Sequence, residues 1–94
     1  MNNYRRGRER EYQTQRLLEK AGYATMRSAG SHSPIDIVAF NPNGLRLIQV
    51  KLNSAQVSGV EREILKNLPR PSNCTVEIWR WKDRVREPLI ERIG

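Results

Sequence analysis

The chain has a single cysteine, Cys74, among 94 residues. One thiol cannot close an internal disulfide or build a cysteine-based metal site, so neither staples this fold. Cys74 is expected to be a small buried or loop residue. Long apolar runs are missing too, and none approaches the ~20 residues that span a bilayer. The first residues are polar and arginine-rich, without the apolar stretch of a secretory signal. A cytoplasmic protein with no membrane anchor is the expectation. Neither repeats nor low-complexity tracts occur. Acidic residues are also scarce: ten Asp and Glu stand against seventeen Lys and Arg, a formal charge of +7.

That excess on so short a chain favours a polyanionic partner, nucleic acid first. The alternatives are a plain solvated basic surface or a ribosome-associated protein. Arg5, Arg6, Arg8, Arg10 and Arg16 lie near the start, and Arg80, Arg84, Arg86 and Arg92 near the end. Guanidinium groups match phosphate geometry bidentately. Hydrophobic residues make up 37% and charged residues 29%, which suits one compact domain. A domain this small buries only roughly 60% of its unfolded surface. A homodimer would bury more and is therefore expected.

The pattern predicts a helix from about Arg6 to Ala21, stopped by Gly22. Ala24 to Arg27 reads as a short strand, and Ser28 to Pro34 (SAGSHSP) as a loop. Ile35 to Phe40 and Leu45 to Leu52 read as strands around the turn Asn41 to Gly44 (NPNG). A second helix is expected from about Ala55 to Leu68, with Val57, Val60, Ile64, Leu65 and Leu68 on one apolar face. After the PRPSN segment, Thr75 to Trp81 reads as a strand and Leu89 to Ile93 as a candidate edge strand. The expected fold is a single small α/β domain over residues 1–94, a central mixed β-sheet flanked by helices, in the order α-β-β-β-α-β(-β).

The hairpin is the most informative part. A four-residue loop pairs Phe40 with Leu45, Ala39 with Arg46, Val38 with Leu47, Ile37 with Ile48 and Asp36 with Gln49. Alternation then puts Asp36, Gln49 and Lys51 on one face, beside the SAGSHSP loop. A two-residue loop, Asn43-Gly44, shifts the register by two and keeps the trio on one face, whereas a slip of one residue destroys it. An unpaired buried charge is costly, so the trio needs a reason. One reason is a structural ion pair between Asp36 and Lys51, with Gln49 near water. The other is a metal site in which Asp36 and the Gln49 oxygen bind Mg²⁺ and Lys51 orients a water. Glu11 shares a helix face with Thr14, Gln15 and Leu18, so it is either a further acid of the site or a favourable charge near a helix N-terminus.

The segments GRERE (Gly7 to Glu11), LLEKAGY (Leu17 to Tyr23), RSAGS (Arg27 to Ser31), IDIVAF (Ile35 to Phe40) and LIQVK (Leu47 to Lys51) carry a resemblance. In order and spacing the chain resembles the archaeal-type Holliday-junction resolvases of the PD-(D/E)XK nuclease superfamily. The resemblance covers residues 1 to about 55 well and the rest in outline. It implies a restriction-endonuclease-like sheet flanked by helices, a homodimer, and hydrolysis of DNA phosphodiesters by metal-activated water. By position, Glu11 matches the helix glutamate, Asp36 the metal-binding aspartate and Lys51 the lysine of the E-x-K element. Arg27 and Ser31 match the loop residues that meet phosphates.

Two features depart from the pattern. Gln49 stands where glutamate is usual, which removes one negative charge, and the chain is short beyond the hairpin. The implied activity is Mg²⁺-dependent cleavage of branched DNA, with Mn²⁺ as a substitute ion. Glu11, Asp36 and Gln49 would hold the metal, and Lys51 would complete the catalytic set. Arg5, Arg6, Arg8, Arg10, Arg27, Ser31 and Ser33 would hold a four-way junction. A catalytically silent DNA-binding module and a restriction- or repair-type nuclease are the alternatives. His32 reads as an exposed loop histidine. Trp79 and Trp81 share a strand face with Glu77 and read as a core or dimer-face pair before base-stacking groups.

Overall fold

The computed structural model describes residues 3–28, 33–53 and 55–94. Its elements are α1 (Asn3–Lys20), β1 (Ala24–Arg27), β2 (Ile37–Asn41), β3 (Gly44–Leu52), α2 (Gly59–Lys66), β4 (Cys74–Trp81) and β5 (Leu89–Arg92). The expected order holds, including the last strand. One five-stranded sheet runs β1-β2-β3-β4-β5. The β3–β4 pair is parallel and the other three are antiparallel. A parallel pair needs a crossover, and α2 supplies it. Among the described residues no helix is long and apolar enough to cross a membrane.

Local chemistry explains the punctuation. Gly22 has φ 98°, a left-handed conformation that glycine adopts without strain. Its N–H donates to Glu19 O at 3.0 Å and the Tyr23 N–H donates to Leu18 O at 3.0 Å, the paired bonds of a Schellman stop. In the hairpin the Asn41 Oδ1 accepts the Asn43 and Gly44 N–H groups at 2.9 and 3.2 Å. Pairing reaches Asn41 and Gly44, so the connecting loop is Pro42-Asn43, shorter than the four residues expected, while the expected register is the observed one.

Helix α2 departs most from expectation. It starts four residues later than the predicted Ala55, because Ser58 caps it: the Ser58 side chain accepts the Glu61 N–H and the Glu61 side chain accepts the Ser58 N–H. Val57 therefore lies before the helix. The expected apolar face also splits. Leu65 packs on the sheet, whereas Val60 and Ile64 are 72% and 48% exposed. Glu61 and Leu65 are one turn apart and share the sheet-facing stripe.

The core lies on both sides of the sheet. Leu18 of α1 packs with Ile37, Ala39, Ile48 and Trp79. Leu65 of α2 packs with Ile35, Val57, Val76 and Ile78. Strand β4 is buried along nearly its whole length, as a strand covered on both faces must be. Trp79 and Trp81 are both core residues. The Trp81 Nε1 donates to Thr14 Oγ1 at 2.9 Å, and that hydroxyl donates to Arg10 O at 2.8 Å. The Arg10 guanidinium lies 4.9 Å from the centre of the Trp81 ring. Trp81→Phe removes the indole donor and leaves a small void. It is expected to lower stability by roughly 1–3 kcal/mol, read from the urea unfolding midpoint. An unchanged midpoint would deny this link between α1 and β4.

Candidate active site

Asp36 lies one residue before β2 and acts as an extra rung of the hairpin. Its N–H donates to Ile48 O at 2.9 Å and its Oδ2 accepts the Val50 N–H at 2.8 Å. The two bonds bracket Gln49 on β3. They also interrupt alternation, since Ile35 and Ile37 belong to core groups on opposite sides of the sheet. The Asp36 carboxylate feels both sides. Burial pushes its pKa up to about 6; the Val50 N–H opposes this, Glu11 adds to it and Lys51 lowers it. A half-buried acid shifted by desolvation and neighbouring charges is a candidate for chemistry.

Gln49 and Lys51 share a face of β3, as expected, and the structure shows it to be the side that α2 covers. The predicted ion pair between Asp36 and Lys51 does not form. Lys51 Nζ pairs instead with Glu61 Oε2 of α2 at 3.5 Å. The same oxygen accepts the Gln49 Nε2 donor at 3.1 Å. Gln49 is 5% exposed, and its Oε1 is buried with no hydrogen-bond partner among the described residues. Leaving such an oxygen unsatisfied costs roughly 1–3 kcal/mol. Glu61 ionises readily: the Ser58 N–H, then the Gln49 amide and Lys51, hold its carboxyl below the usual range.

Glu11 projects from α1 and accepts Arg27 Nη1 at 3.1 Å. The Arg27 guanidinium lies 5.1 Å from the Tyr12 ring centre. Of the other expected DNA contacts, Arg6 pairs with Asp83, and Arg10 donates to Gln13 Oε1 at 2.8 Å and to Lys82 O at 3.0 Å. These two arginines therefore also tie α1 to the β4–β5 connection. Arg5 and Arg8 are exposed on α1. Ser33 Oγ accepts the Ile35 N–H at 3.1 Å. Ser31 and His32 lie outside the described residues.

Among the described residues no three His, Cys, Asp or Glu side chains converge as a metal cluster. A cation here would meet one or two carboxylates and an amide oxygen. That suits Mg²⁺, which keeps several of its waters and needs few protein ligands. The unpartnered Gln49 Oε1 fits the role of neutral ligand. A groove of about 520 Å³ runs past Gln13, Arg16, Glu19, Trp81 and Arg86, and its lining includes neither Asp36 nor Glu11. Chemistry is better placed at Asp36, where ionisable groups of three elements meet. Sequence reasoning missed Glu61, although Ser58-Gly59-Val60-Glu61 is a capping-box signature.

The family model described as archaeal Holliday junction resolvase matches residues 2–71. The crossover junction endodeoxyribonuclease Hjc of Methanocaldococcus jannaschii is 34% identical over 65 residues, 69% of this chain and 48% of that protein. The chain thus spans about half the length of that curated relative. The structure of Archaeoglobus fulgidus Hjc, a Holliday junction resolvase from an archaeal hyperthermophile, is similar with a TM-score of 0.77 at 27% identity. That likeness covers 94% of this chain and 73% of the other. The sheet and its two helices are consistent with a restriction-endonuclease-like fold.

Proposed function

The chain belongs to the archaeal Holliday junction resolvase family, and from that premise we propose that it is a metal-dependent endodeoxyribonuclease acting on four-way DNA junctions. The observation that carries this reading is the buried, unpartnered Gln49 Oε1, bracketed by the two hydrogen bonds of Asp36. Asp36 and Gln49 would hold Mg²⁺, or Mn²⁺ in its place, with Glu11 as a further acid. A bound ion would lower the pKa of a water and offset charge on the attacked phosphate.

The chain's own groups supply the rest. Lys51, held by Glu61, is an ammonium within the site and can orient the attacking water or the phosphate. Arg27, Arg5, Arg8 and the hydroxyls of Ser31 and Ser33 would meet phosphates, with Arg6 and Arg10 beside them. Phosphate contacts position a duplex without reading its sequence, so selection by junction shape follows naturally. A homodimer would present two sites to a two-fold symmetric junction. The formal +7 charge supports the binding part of the reading.

The test is cleavage of a synthetic four-way junction with Mg²⁺, with Mn²⁺ and with EDTA, beside the matching linear duplex. Paired symmetric cuts on the junction, lost in EDTA, are expected. Equal cutting of the duplex would point to a restriction- or repair-type nuclease. A second reading is a junction-binding module without turnover, favoured by Gln49 standing where an acid is usual. It predicts tight, salt-sensitive binding in EDTA and no cuts with any metal.

A further inference from the structure

Glu61 has no part in the site as the sequence presents it, yet it touches two of the site's members. Its Oε1 accepts the Ser58 N–H at 3.3 Å, which locks the side chain at the N-terminal turn of α2. Its Oε2 then accepts from Gln49 Nε2 at 3.1 Å and from Lys51 Nζ at 3.5 Å. A carboxamide has one donor end and one acceptor end. With the donor end held by Glu61, the Gln49 oxygen must point the other way, and it is that oxygen which is buried with no partner among the described residues.

We propose that Glu61 is the positioning residue that makes Gln49 a metal ligand. Its carboxylate fixes the amide with the oxygen turned away from Glu61, where it could accept a cation, and polarises it through the N–H···O⁻ bond, so part of the missing negative charge would act through the amide. The same carboxylate sets where Lys51 stands. Outer-shell carboxylates orient and tune ligands in this way. The inference rests on the metal-nuclease reading above, and goes beyond it by assigning a role to α2. It also explains how a glutamine serves at this position, since a free amide would be a weak and randomly oriented donor set.

The test is Mn²⁺ uptake by the full chain without DNA, followed by loss of the free-ion EPR signal. Glu61→Gln is expected to weaken Mn²⁺ binding by roughly 10–100-fold. The exchange Gln49→Glu with Glu61→Gln restores a carboxylate and reverses the hydrogen bond, and is expected to recover wild-type affinity or better. Ser58→Ala removes the cap but not the carboxylate. It should lower the unfolding midpoint and leave affinity within about twofold, which separates positioning from capping. If wild type takes up Mn²⁺ and Asp36→Asn does not, but Glu61→Gln binds as wild type, the role of Glu61 is refuted alone. Failure of the exchange to recover affinity also refutes it. If wild type takes up no Mn²⁺, the metal-nuclease reading falls and this inference with it.

Discussion

Asp36→Asn is expected to lower metal-dependent junction cleavage by about 1,000-fold while leaving junction binding intact. A metal ion offers several kcal/mol of charge stabilisation to the transition state, and roughly 4 kcal/mol corresponds to that factor. The arginines proposed to meet phosphate are untouched, so the apparent Kd should hold or tighten as a negative charge leaves the site. In EDTA the same variant is expected to be more stable than wild type at neutral pH. Burial raises the Asp36 pKa from 3.8 to about 6, so the fold favours the protonated form. The resulting penalty is absent below the unfolded value and fully present above the folded one. It therefore grows as pH rises through that window. Asparagine mimics the neutral acid and its oxygen can keep the Val50 N–H bond. The gain should be on the order of 1 kcal/mol near pH 7.5, less than the full shift implies because the carboxylate is half exposed, and should vanish near pH 4. Unfolding midpoints at both pH values, together with single-turnover cleavage rates, check the pair of effects. A variant that cuts normally, or is less stable in EDTA at neutral pH, contradicts a metal-binding Asp36.

The hairpin was legible because one constraint decided everything in it. The turn and the period of two set which residues share a face, and the observed pairing from Phe40 with Leu45 to Ile37 with Ile48 follows from them. Asp36 is a partial exception. It joins the cluster by replacing a backbone rung with its carboxylate, and strict alternation does not foresee that. Helix α2 was misread for a different reason. Apolar periodicity reports a stripe but not a start, and the stripe through Val57 suggested a helix that Ser58 caps later. Beginning the helix at Ala55 makes Glu61 an ordinary mid-helix acid. Beginning it after Ser58 makes Glu61 the reciprocal partner of a capping box, aimed at the sheet. Helical spacing groups Val60 and Ile64 with Leu65 on one apolar face, but spacing alone cannot say which of two adjacent stripes meets the sheet. The Trp79–Trp81 pair reads as core or dimer face, and the structure places both in the core; Glu77 on the same face is a buried acid that the pattern alone does not reveal.

Glu77→Gln is expected to cost roughly 3–5 kcal/mol of stability, a large part of what a domain this small possesses. Glu77 is 4% exposed in the middle of β4. Its oxygens accept Arg46 Nε at 2.8 Å, Arg46 Nη2 at 2.7 Å, Trp79 Nε1 at 2.9 Å and the Thr75 hydroxyl. The Arg46 guanidinium in turn lies 5.2 and 5.5 Å from the Tyr23 and Trp79 ring centres. Burial pushes the Glu77 pKa up, but the Arg46, Thr75 and Trp79 bonds outweigh it and leave the carboxyl below its ordinary 4.5. Its stabilisation is thus present above the unfolded pKa and is lost as pH falls through the lowered folded value. A glutamine has one oxygen for four donors, and its own N–H₂ would face the guanidinium. The charge of Arg46 would then be left partly buried without a counter-ion, the condition that makes breaking such a pair expensive. Removing both charges is a gentler change. Arg46→Met with Glu77→Leu is expected to cost clearly less than the two single changes added together, because no charge is left behind. Urea unfolding of the four proteins in the cycle measures this. A Glu77→Gln variant within ~1 kcal/mol of wild type, or a pair that simply adds, would show that the network contributes packing and not charge pairing. Glu77 shares the α1 side of the sheet with Trp79, whereas Gln49 and Lys51 meet Glu61 of α2 on the other side. The folded fraction of Glu77→Gln should therefore still take up Mn²⁺ as wild type does.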